Sequence, residues 1–172
     1  MRALILAAPP DQARTEDAML NFARRRVLVV DDNAHARAFL AQILDAVDVV
    51  VLQAESGPQA LNILRTAHVD VVFVDMFMTP MNGIALTREI RASDNASVAG
   101  LPVVMASAQA NREVVQGAMT AGVSGFIAKP FSPALVLKQL SIALARRKPV
   151  HPLPVQAAFV EDPDEGQAMA YL

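Results

Sequence analysis

Five short apolar runs recur along the chain, separated by longer segments that contain polar residues. They are Val27–Val30, Val49–Leu52, Val71–Val74, Val103–Ala106 and Phe126–Ala128. Runs this short, rich in valine and bounded by polar residues, are typical of strands that are buried on both faces of a sheet. The pattern therefore predicts five buried strands.

The segments between these runs have the periodicity of helices. In the first segment, apolar residues fall at i, i+3, i+4, i+7 and i+8, which places Ala36, Phe39, Leu40, Ile43 and Leu44 on one face. We expect this face to pack against the sheet.

Capping residues mark where the other helices begin. Each of these helical segments follows a small polar residue whose side chain can accept a hydrogen bond from the first turn, namely Ser56, Asn82, Asn111 and Ser132. The fifth helix is predicted to end at 146–148, because the cations there are favourable at the carboxyl end of a helix. Strand and helix alternate five times, which predicts an α/β domain with a parallel sheet and helices on both faces.

The alternating pattern occupies residues 24–148, which we interpret as one domain. Residues 1–23 form an N-terminal extension, and a short helix is predicted over Asp11–Arg25. Residues 149–172 form a tail that is first rich in proline and then acidic. A chain of 172 residues leaves no room for a second domain of ordinary size.

The amino-acid composition of the chain excludes several classes of function. There are 15 basic and 17 acidic residues, so the chain has no basic field for general nucleic-acid binding. There is no cysteine, which excludes disulfides and thiolate metal sites. The apolar start of the chain is too short for a secretion signal, and the longest uncharged stretch, 95–111, contains Asn, Ser, Gly and Pro. We expect a cytoplasmic protein that neither binds DNA nor inserts into a membrane.

Polar residues follow four of the predicted strands. Asp31 and Asp32 follow the first, Asp75 the third, Ser107 the fourth and Lys129 the fifth. The carboxyl ends of parallel strands meet at one edge of a sheet, where function gathers. Carboxylates that lie close together repel, and a hard divalent cation such as Mg²⁺ relieves that repulsion. The sequence therefore predicts a magnesium site at this edge, with the Lys129 ammonium beside Asp75.

Asp75 also has a chemical role available to it. A carboxylate can act as a nucleophile and form an acyl phosphate. Phosphoryl transfer depends mainly on positioning and on neutralisation of charge, and Mg²⁺ together with Lys129 and Ser107 supplies both.

Four motifs, taken together, resemble one known family. "VLVVDDN", "VVFVDMFMTPMNG", "LPVVMASAQ" and "AGVSGFIAKPF" are similar, in order and spacing, to the motifs of the bacterial response-regulator receiver domain. The resemblance implies a flavodoxin-like fold with strand order 2-1-3-4-5. It also implies a cis peptide bond between Lys129 and Pro130, which proline permits at modest cost.

The resemblance implies a role for each residue of the cluster. Asp75 would accept a phosphoryl group from a histidine kinase or a histidine phosphotransfer protein. Mg²⁺ would be bound by Asp32, Asp75 and the backbone carbonyl of Phe77, with Asp31 acting through a water. Lys129 would bind phosphoryl oxygens.

Four further positions are implied in the response to phosphorylation. Ser107 would also bind a phosphoryl oxygen and move toward it, and Phe126 would move inward behind it as an aromatic switch. The side chains of Phe77 and Gln109 would flank the path of the water that hydrolyses the acyl phosphate. Because Phe77 is bulky and apolar, we expect slow self-dephosphorylation.

The chain departs from the usual family pattern at three positions. Thr79 stands where the family usually has proline, and Pro80 follows one residue later. Ser107 replaces the commoner threonine and keeps its hydroxyl. Phe126 occupies a position where the family has tyrosine or phenylalanine, so the aromatic ring is present without a hydroxyl.

These residues lead us to expect a stand-alone receiver that acts through protein contacts and catalyses only its own phosphorylation and dephosphorylation. Its downstream partner would bind the face formed by the fourth helix, the fifth strand and the fifth helix of the receiver, and homodimerisation stays open. Residues 149–172 are too few for a helix-turn-helix output domain.

Three alternatives to a switch remain at this point. One is a phosphorelay intermediate or phosphate sink, and another is a receiver-like scaffold that is not phosphorylated. The third is an aspartyl phosphatase of the haloacid dehalogenase kind. That class needs a second carboxylate two residues after its nucleophile, and Phe77 occupies this position.

Overall fold

The computed structural model describes residues 22–146, 160–161 and 168–171. Within these residues seven strands form one sheet. The strands are β1 (Arg26–Val30), β2 (Val50–Ala54), β3 (Val71–Asp75), β4 (Val103–Ser107), β5 (Gly125–Ala128), β6 (Val160–Glu161) and β7 (Ala168–Tyr171). The helices are α1 (Ala34–Asp45), α2 (Gly57–Thr66), α3 (Gly83–Arg91), α4 (Ala96–Ala99), α5 (Arg112–Ala121) and α6 (Pro133–Ala145).

The first five strands are parallel and lie in the order β2-β1-β3-β4-β5. This confirms the predicted α/β fold and its strand order. The Lys129–Pro130 peptide bond is cis, as expected, and so is the bond between Thr79 and Pro80.

The sheet is buried on both faces because side chains of successive strand residues point to opposite sides. On one face, Leu28, Val72 and Phe126 belong to the core that α2, α3 and α5 cover. On the other face, Val29 and Phe73 belong to the core beneath α1 and α6. This two-sided burial explains why the strands have apolar runs rather than alternating patterns.

The predicted capping residues begin their helices. The side chains of Ser56, Asn82, Asn111 and Ser132 each accept a hydrogen bond from a backbone N–H group in the first turn of α2, α3, α5 and α6. Asn33, which the sequence analysis did not single out, caps α1 in the same way. The fifth predicted helix is α6, and it ends at Ala145.

Three local predictions differ from the structure. Phe39 does not reach the core: its side chain is 47% exposed, and its ring stacks on Phe131 with centroids 6.1 Å apart. Strand β2 runs over Val50–Ala54 and thus starts one residue later than predicted. Residues 22–24 form a turn rather than the end of a helix, and the rest of the predicted N-terminal helix lies outside the described residues.

Three elements were not predicted at all. The short helix α4 fills the connection between α3 and β4. Part of the C-terminal tail adds β7 antiparallel to β5, and β6 pairs with β7. The five parallel strands are therefore extended by two antiparallel strands at the β5 side of the sheet.

Candidate functional site

The carboxyl ends of β1, β3, β4 and β5 bring the predicted site residues together. The registers place Asp75 opposite Ala106 and Ser107 opposite Ala128, so these strands end at nearly the same level. Lys129 follows β5 directly, and its N–H donates to the carbonyl oxygen of Ser107 at 2.7 Å. The site is thus built from strand ends whose spacing is fixed by the sheet.

One ammonium group joins two carboxylates at the centre of the site. Lys129 Nζ donates to Asp31 Oδ2 at 2.8 Å and to Asp75 Oδ1 at 2.6 Å. The side chains of both aspartates are about nine-tenths buried, at 9% and 10% exposure, whereas that of Lys129 is 22% exposed. Hydrogen bonds between ionised partners are short and strong. The contact with Lys129 offsets the free-energy cost of placing the Asp75 carboxylate at the end of a buried strand.

Backbone N–H groups hold the remaining carboxylate oxygens. Asn33 N donates to Asp31 Oδ1 at 2.9 Å, and Phe77 N donates to Asp75 Oδ2 at 2.8 Å. Asp32 is exposed, and its Oδ2 accepts from Thr79 N at 3.3 Å. The last contact ties the loop after β3 to the end of β1. Thr79 makes this bond possible because it has a backbone N–H. A proline, which is usual at this position in the family that the motifs resemble, would have none.

The three aspartates fit a divalent cation. One oxygen from each of Asp31, Asp32 and Asp75 lies within 4.8 Å of the others. Oxygens that share an octahedral Mg²⁺ at about 2.1 Å lie about 3.0 to 4.2 Å apart, so a bound ion would draw these oxygens closer together. Hard carboxylate oxygens with the Phe77 backbone next to them match the ligands that Mg²⁺ prefers.

The electrostatics of the site favour a cation as well. Burial raises the pKa of Asp75, and the hydrogen bond and charge of Lys129 offset only part of this effect. Burial lowers the pKa of Lys129, but its hydrogen bonds to Asp31 and Asp75 and the negative charges of these carboxylates together outweigh burial and raise the pKa. A carboxylate with a raised pKa attracts positive charge, and a metal ion provides that charge without a proton.

The loop after β3 leads tightly into α3. Gly83 N donates to the carbonyl oxygen of Met76 at 3.0 Å. A Cβ atom at Gly83 would collide with the backbone carbonyl oxygen of Asp75. Glycine is therefore required here for close approach, and the start of α3 is packed directly against the residue that ends β3.

Ser107 and Phe126 occupy the positions expected for the switch, but Phe126 is already buried. Ser107 is fully buried, and its Oγ accepts from Gln109 N at 3.1 Å. Phe126 is 1% exposed in the core beneath α5. The ring therefore already lies inside, and its movement on phosphorylation stays a prediction.

The two residues predicted to flank the water path lie at the rim of the site. The Phe77 side chain is 49% exposed, while its backbone N–H bonds the Asp75 carboxylate. Gln109 is also exposed, and only its backbone contact to Ser107 is described. The effect of the Phe77 side chain on hydrolysis stays a prediction.

Arg37 was missed by the sequence analysis. Its Nη1 donates to the carbonyl oxygen of Asp31 at 2.6 Å and so fixes the backbone where the acidic pair begins. The sequence offered no signal for this contact, since an arginine on the polar side of a predicted helix is ordinarily solvated. His35 and His68 are exposed, and His68 faces Asp70 at 3.5 Å.

Comparisons with known proteins agree with this geometry. The sequence model of the response regulator receiver domain matches residues 27–141. The chemotaxis protein CheY of Pseudomonas aeruginosa is 36% identical over 115 residues, covering 66% of this chain and 90% of that protein. CheY-3 of Vibrio cholerae is 36% identical over 125 residues, covering 72% of this chain and 94% of that protein. Among solved structures, the chemotaxis response regulator CheY4 of Vibrio cholerae superimposes with a TM-score of 0.66 at 28% identity, covering 71% of this chain and 100% of that chain.

The parallel sheet and the acidic cluster at its carboxyl edge define a CheY-type signalling domain. The chain belongs to the response regulator receiver family, the receiving component of two-component signalling. Among the residues that the structure describes, no helix is both long and apolar enough to cross a membrane.

Proposed function

We propose that this protein is a response regulator that accepts a phosphoryl group on Asp75. The observation that carries the proposal is the Lys129 ammonium, which bonds both Asp31 and Asp75 beside a third carboxylate, that of Asp32. Such a site combines a nucleophilic oxygen with positive charge for phosphoryl oxygens. The donor is a histidine kinase or a histidine phosphotransfer protein.

The transfer is a substitution at phosphorus. A carboxylate oxygen of Asp75 attacks the phosphorus of a phosphohistidine, the new O–P bond forms, and the P–N bond breaks. The imidazole nitrogen leaves with the bonding electron pair. Asp32, Asp75 and the Phe77 carbonyl would hold Mg²⁺, with Asp31 acting through a water, and the ion would supply charge neutralisation at the phosphoryl oxygens.

The chain's own residues complete the site after transfer. Lys129 Nζ exchanges one carboxylate contact for a phosphoryl oxygen. The Ser107 hydroxyl accepts from Gln109 N in the structure, and its own hydrogen is free to serve as a donor to another phosphoryl oxygen. Movement of Ser107 toward that oxygen pulls on the loop before α5.

That loop is the proposed origin of the switch. Since Phe126 is already buried, the shift of the β4–α5 loop replaces ring movement as the first event. The equilibrium between two packing arrangements of the face formed by α5, β5 and α6 then shifts, and this shift alters the binding of a downstream protein. Ser107 and Phe126 couple phosphorylation to this change. Ser107 does so by its bond to the phosphoryl oxygen, and Phe126 by its packing beneath α5.

Exposed aromatic side chains support a protein donor. Phe39 of α1 is exposed and stacks on the half-buried Phe131, which follows Lys129 by two residues, and Phe77 is half exposed in the loop after β3. Aromatic residues are enriched where proteins bind one another. A donor that covers this surface brings its phosphohistidine to the edge of the sheet where Asp75 lies.

The test is phosphorylation of the full chain by acetyl phosphate with Mg²⁺, followed by intact-protein mass spectrometry. Wild type should gain one phosphoryl group, and Asp75→Asn should gain none. Asp94→Asn is the matched control, because Asp94 is an exposed aspartate outside the cluster. Equal labelling of the Asp75→Asn variant would show that another residue is the acceptor, and an unlabelled wild type would favour the scaffold alternative. Rapid return of the group to a phosphotransfer protein would favour the relay intermediate or phosphate sink.

A further inference from the structure

The two borders of the parallel sheet differ. At one border β2 has no further strand beside it among the described residues, and its Val50 is 45% exposed. At the other border β7 runs antiparallel along β5, with Gly125 opposite Tyr171 and Ile127 opposite Met169. An open strand edge presents unpaired N–H and C=O groups that attract other strands. Within the part of the chain that the structure describes, a segment of the tail covers the β5 edge and leaves the β2 edge open.

The backbone of β5 shows which groups that segment covers. Lys129 N donates to Ser107 O of β4 at 2.7 Å, in step with the register of the two strands. Backbone groups of successive strand residues point alternately to the two sides, so those of Gly125 and Ile127 point toward β4 and the N–H and C=O groups of Phe126 point away from it. Phe126 lies opposite Ala170 of β7. A docked strand therefore satisfies backbone groups that would otherwise be open.

The tail sequence suits this position. Ala168–Tyr171 contains no charged residue, in contrast to the acidic stretch before it. Strand β6 pairs with it, with Val160 opposite Met169 and Glu161 opposite Ala168. The residues between the two strands, 162–167, include Asp, Pro and Gly, which favour turns. The docked strand thus belongs to a hairpin with its own register.

We infer that the outer edge of β5 is a docking site for an extended apolar strand, and that the chain's own segment Ala168–Tyr171 occupies it in cis. The connecting residues 147–159 can span about 40 Å at about 3.1 Å per residue, which exceeds the roughly 30 Å diameter of a small domain. A tethered segment has an effective concentration on the order of millimolar, which exceeds that of a second copy in dilute solution.

The covered edge lies on the α5–β5–α6 face proposed for the downstream partner. A partner or a second copy that pairs with β5 must first displace Ala168–Tyr171. The kind of partner that fits is one that presents an uncharged extended segment running antiparallel to β5. The occupancy of the edge by the tail does not require phosphorylation of Asp75.

The test compares wild type with Ala170→Pro in the full chain by residue-resolved amide hydrogen exchange. Proline has no N–H to pair with Phe126. Exchange at Phe126 should rise on the order of tenfold or more in the variant, whereas the amides of Gly125 and Ile127 should be unchanged because alternation directs them toward β4. Ala157→Pro, placed in the connecting segment that already contains prolines, is the matched control and should behave as wild type.

A second measurement tests the edge in trans. A peptide of residues 166–172 should bind Ala170→Pro and not wild type, since the edge is free only in the variant. Equal exchange at Phe126 in wild type and in Ala170→Pro would overturn the inference. Protection that falls on dilution, together with a dimer in light scattering, would overturn occupancy in cis and assign the docked strand to a second copy. Failure of Asp75 to accept a phosphoryl group would leave both measurements unaffected, so the two proposals fail separately.

Discussion

Lys129 Nζ lies 2.6 Å from Asp75 Oδ1 and also bonds Asp31, so one ammonium balances carboxylates from the ends of two strands. The three groups lie mostly out of water, where an unpaired charge is costly. The Lys129 ammonium is therefore a structural partner of the site as well as the proposed ligand for phosphoryl oxygens.

The first prediction follows from this contact. Lys129→Met should lower the free energy of unfolding in urea by about 2 kcal/mol, because two buried carboxylates lose a charged hydrogen-bond partner. Addition of Mg²⁺ should restore part of the loss. Arg88→Met is the control, since it removes a cation from the exposed side of α3 and should change stability little. If both variants lose the same stability, the Lys129 contacts do not stabilise the fold.

The second prediction concerns the metal. Mg²⁺ should raise the melting temperature of wild type by mass action, since it binds the folded cluster of Asp31, Asp32 and Asp75. Asp32→Ala should abolish the Mg²⁺-dependent shift, whereas Asp94→Ala should keep it. Differential scanning calorimetry with and without a chelator measures both. A full shift in Asp32→Ala would place the metal elsewhere.

The third prediction concerns the lifetime of the acyl phosphate. The half-exposed Phe77 side chain offers no hydrogen bond to a water that approaches in line with Asp75. Phe77→Asn should accelerate decay several-fold, which corresponds to about 1 kcal/mol of barrier. Phe39→Asn is the matched control, because Phe39 has nearly the same exposure on α1. The measurement is the decay rate of the phosphorylated protein with Mg²⁺ and no partner. Decay of Phe77→Asn at the wild-type rate would rule out this role for Phe77.

The fourth prediction concerns the start of α3. Gly83→Ala should destabilise the protein by about 1–3 kcal/mol, because the added methyl group meets the Asp75 carbonyl oxygen and the backbone has to shift. Phosphorylation by acetyl phosphate should also slow, as the same shift moves Asp75. Gly117→Ala is the control within α5, where the nearest neighbour is Ile84 Cδ1 at 3.6 Å. That change should be neutral or stabilising, by up to about 1 kcal/mol, and equal melting temperatures for the two variants would contradict the packing argument.

The sequence predicted what depends on local pattern. Apolar runs located the strands, and Ser56 and Asn111 marked helix starts, because capping depends on residues a few positions apart. The residues at the strand ends were predictable as a group, since a parallel sheet brings those ends together. The strand order came from the family resemblance.

What could not be predicted depends on contacts between distant segments. Phe39 fits the apolar periodicity of α1, yet it turns to Phe131, which lies far along the chain. The bond from Thr79 N to Asp32 arises only when two loops meet. The pairing of Ala168–Tyr171 with β5 has no local signal either, because so short a segment is a strand only when it has a neighbour.

The docked tail carries an intrinsic fluorophore. The chain contains one tyrosine and no tryptophan, and that tyrosine, Tyr171, belongs to β7. Its ultraviolet fluorescence therefore originates from the segment paired with β5, while the cores and the acidic site contribute no tyrosine or tryptophan emission. Changes in the intensity or anisotropy of that emission report on the segment beside β5 in the unmodified protein, without an attached dye or an introduced residue.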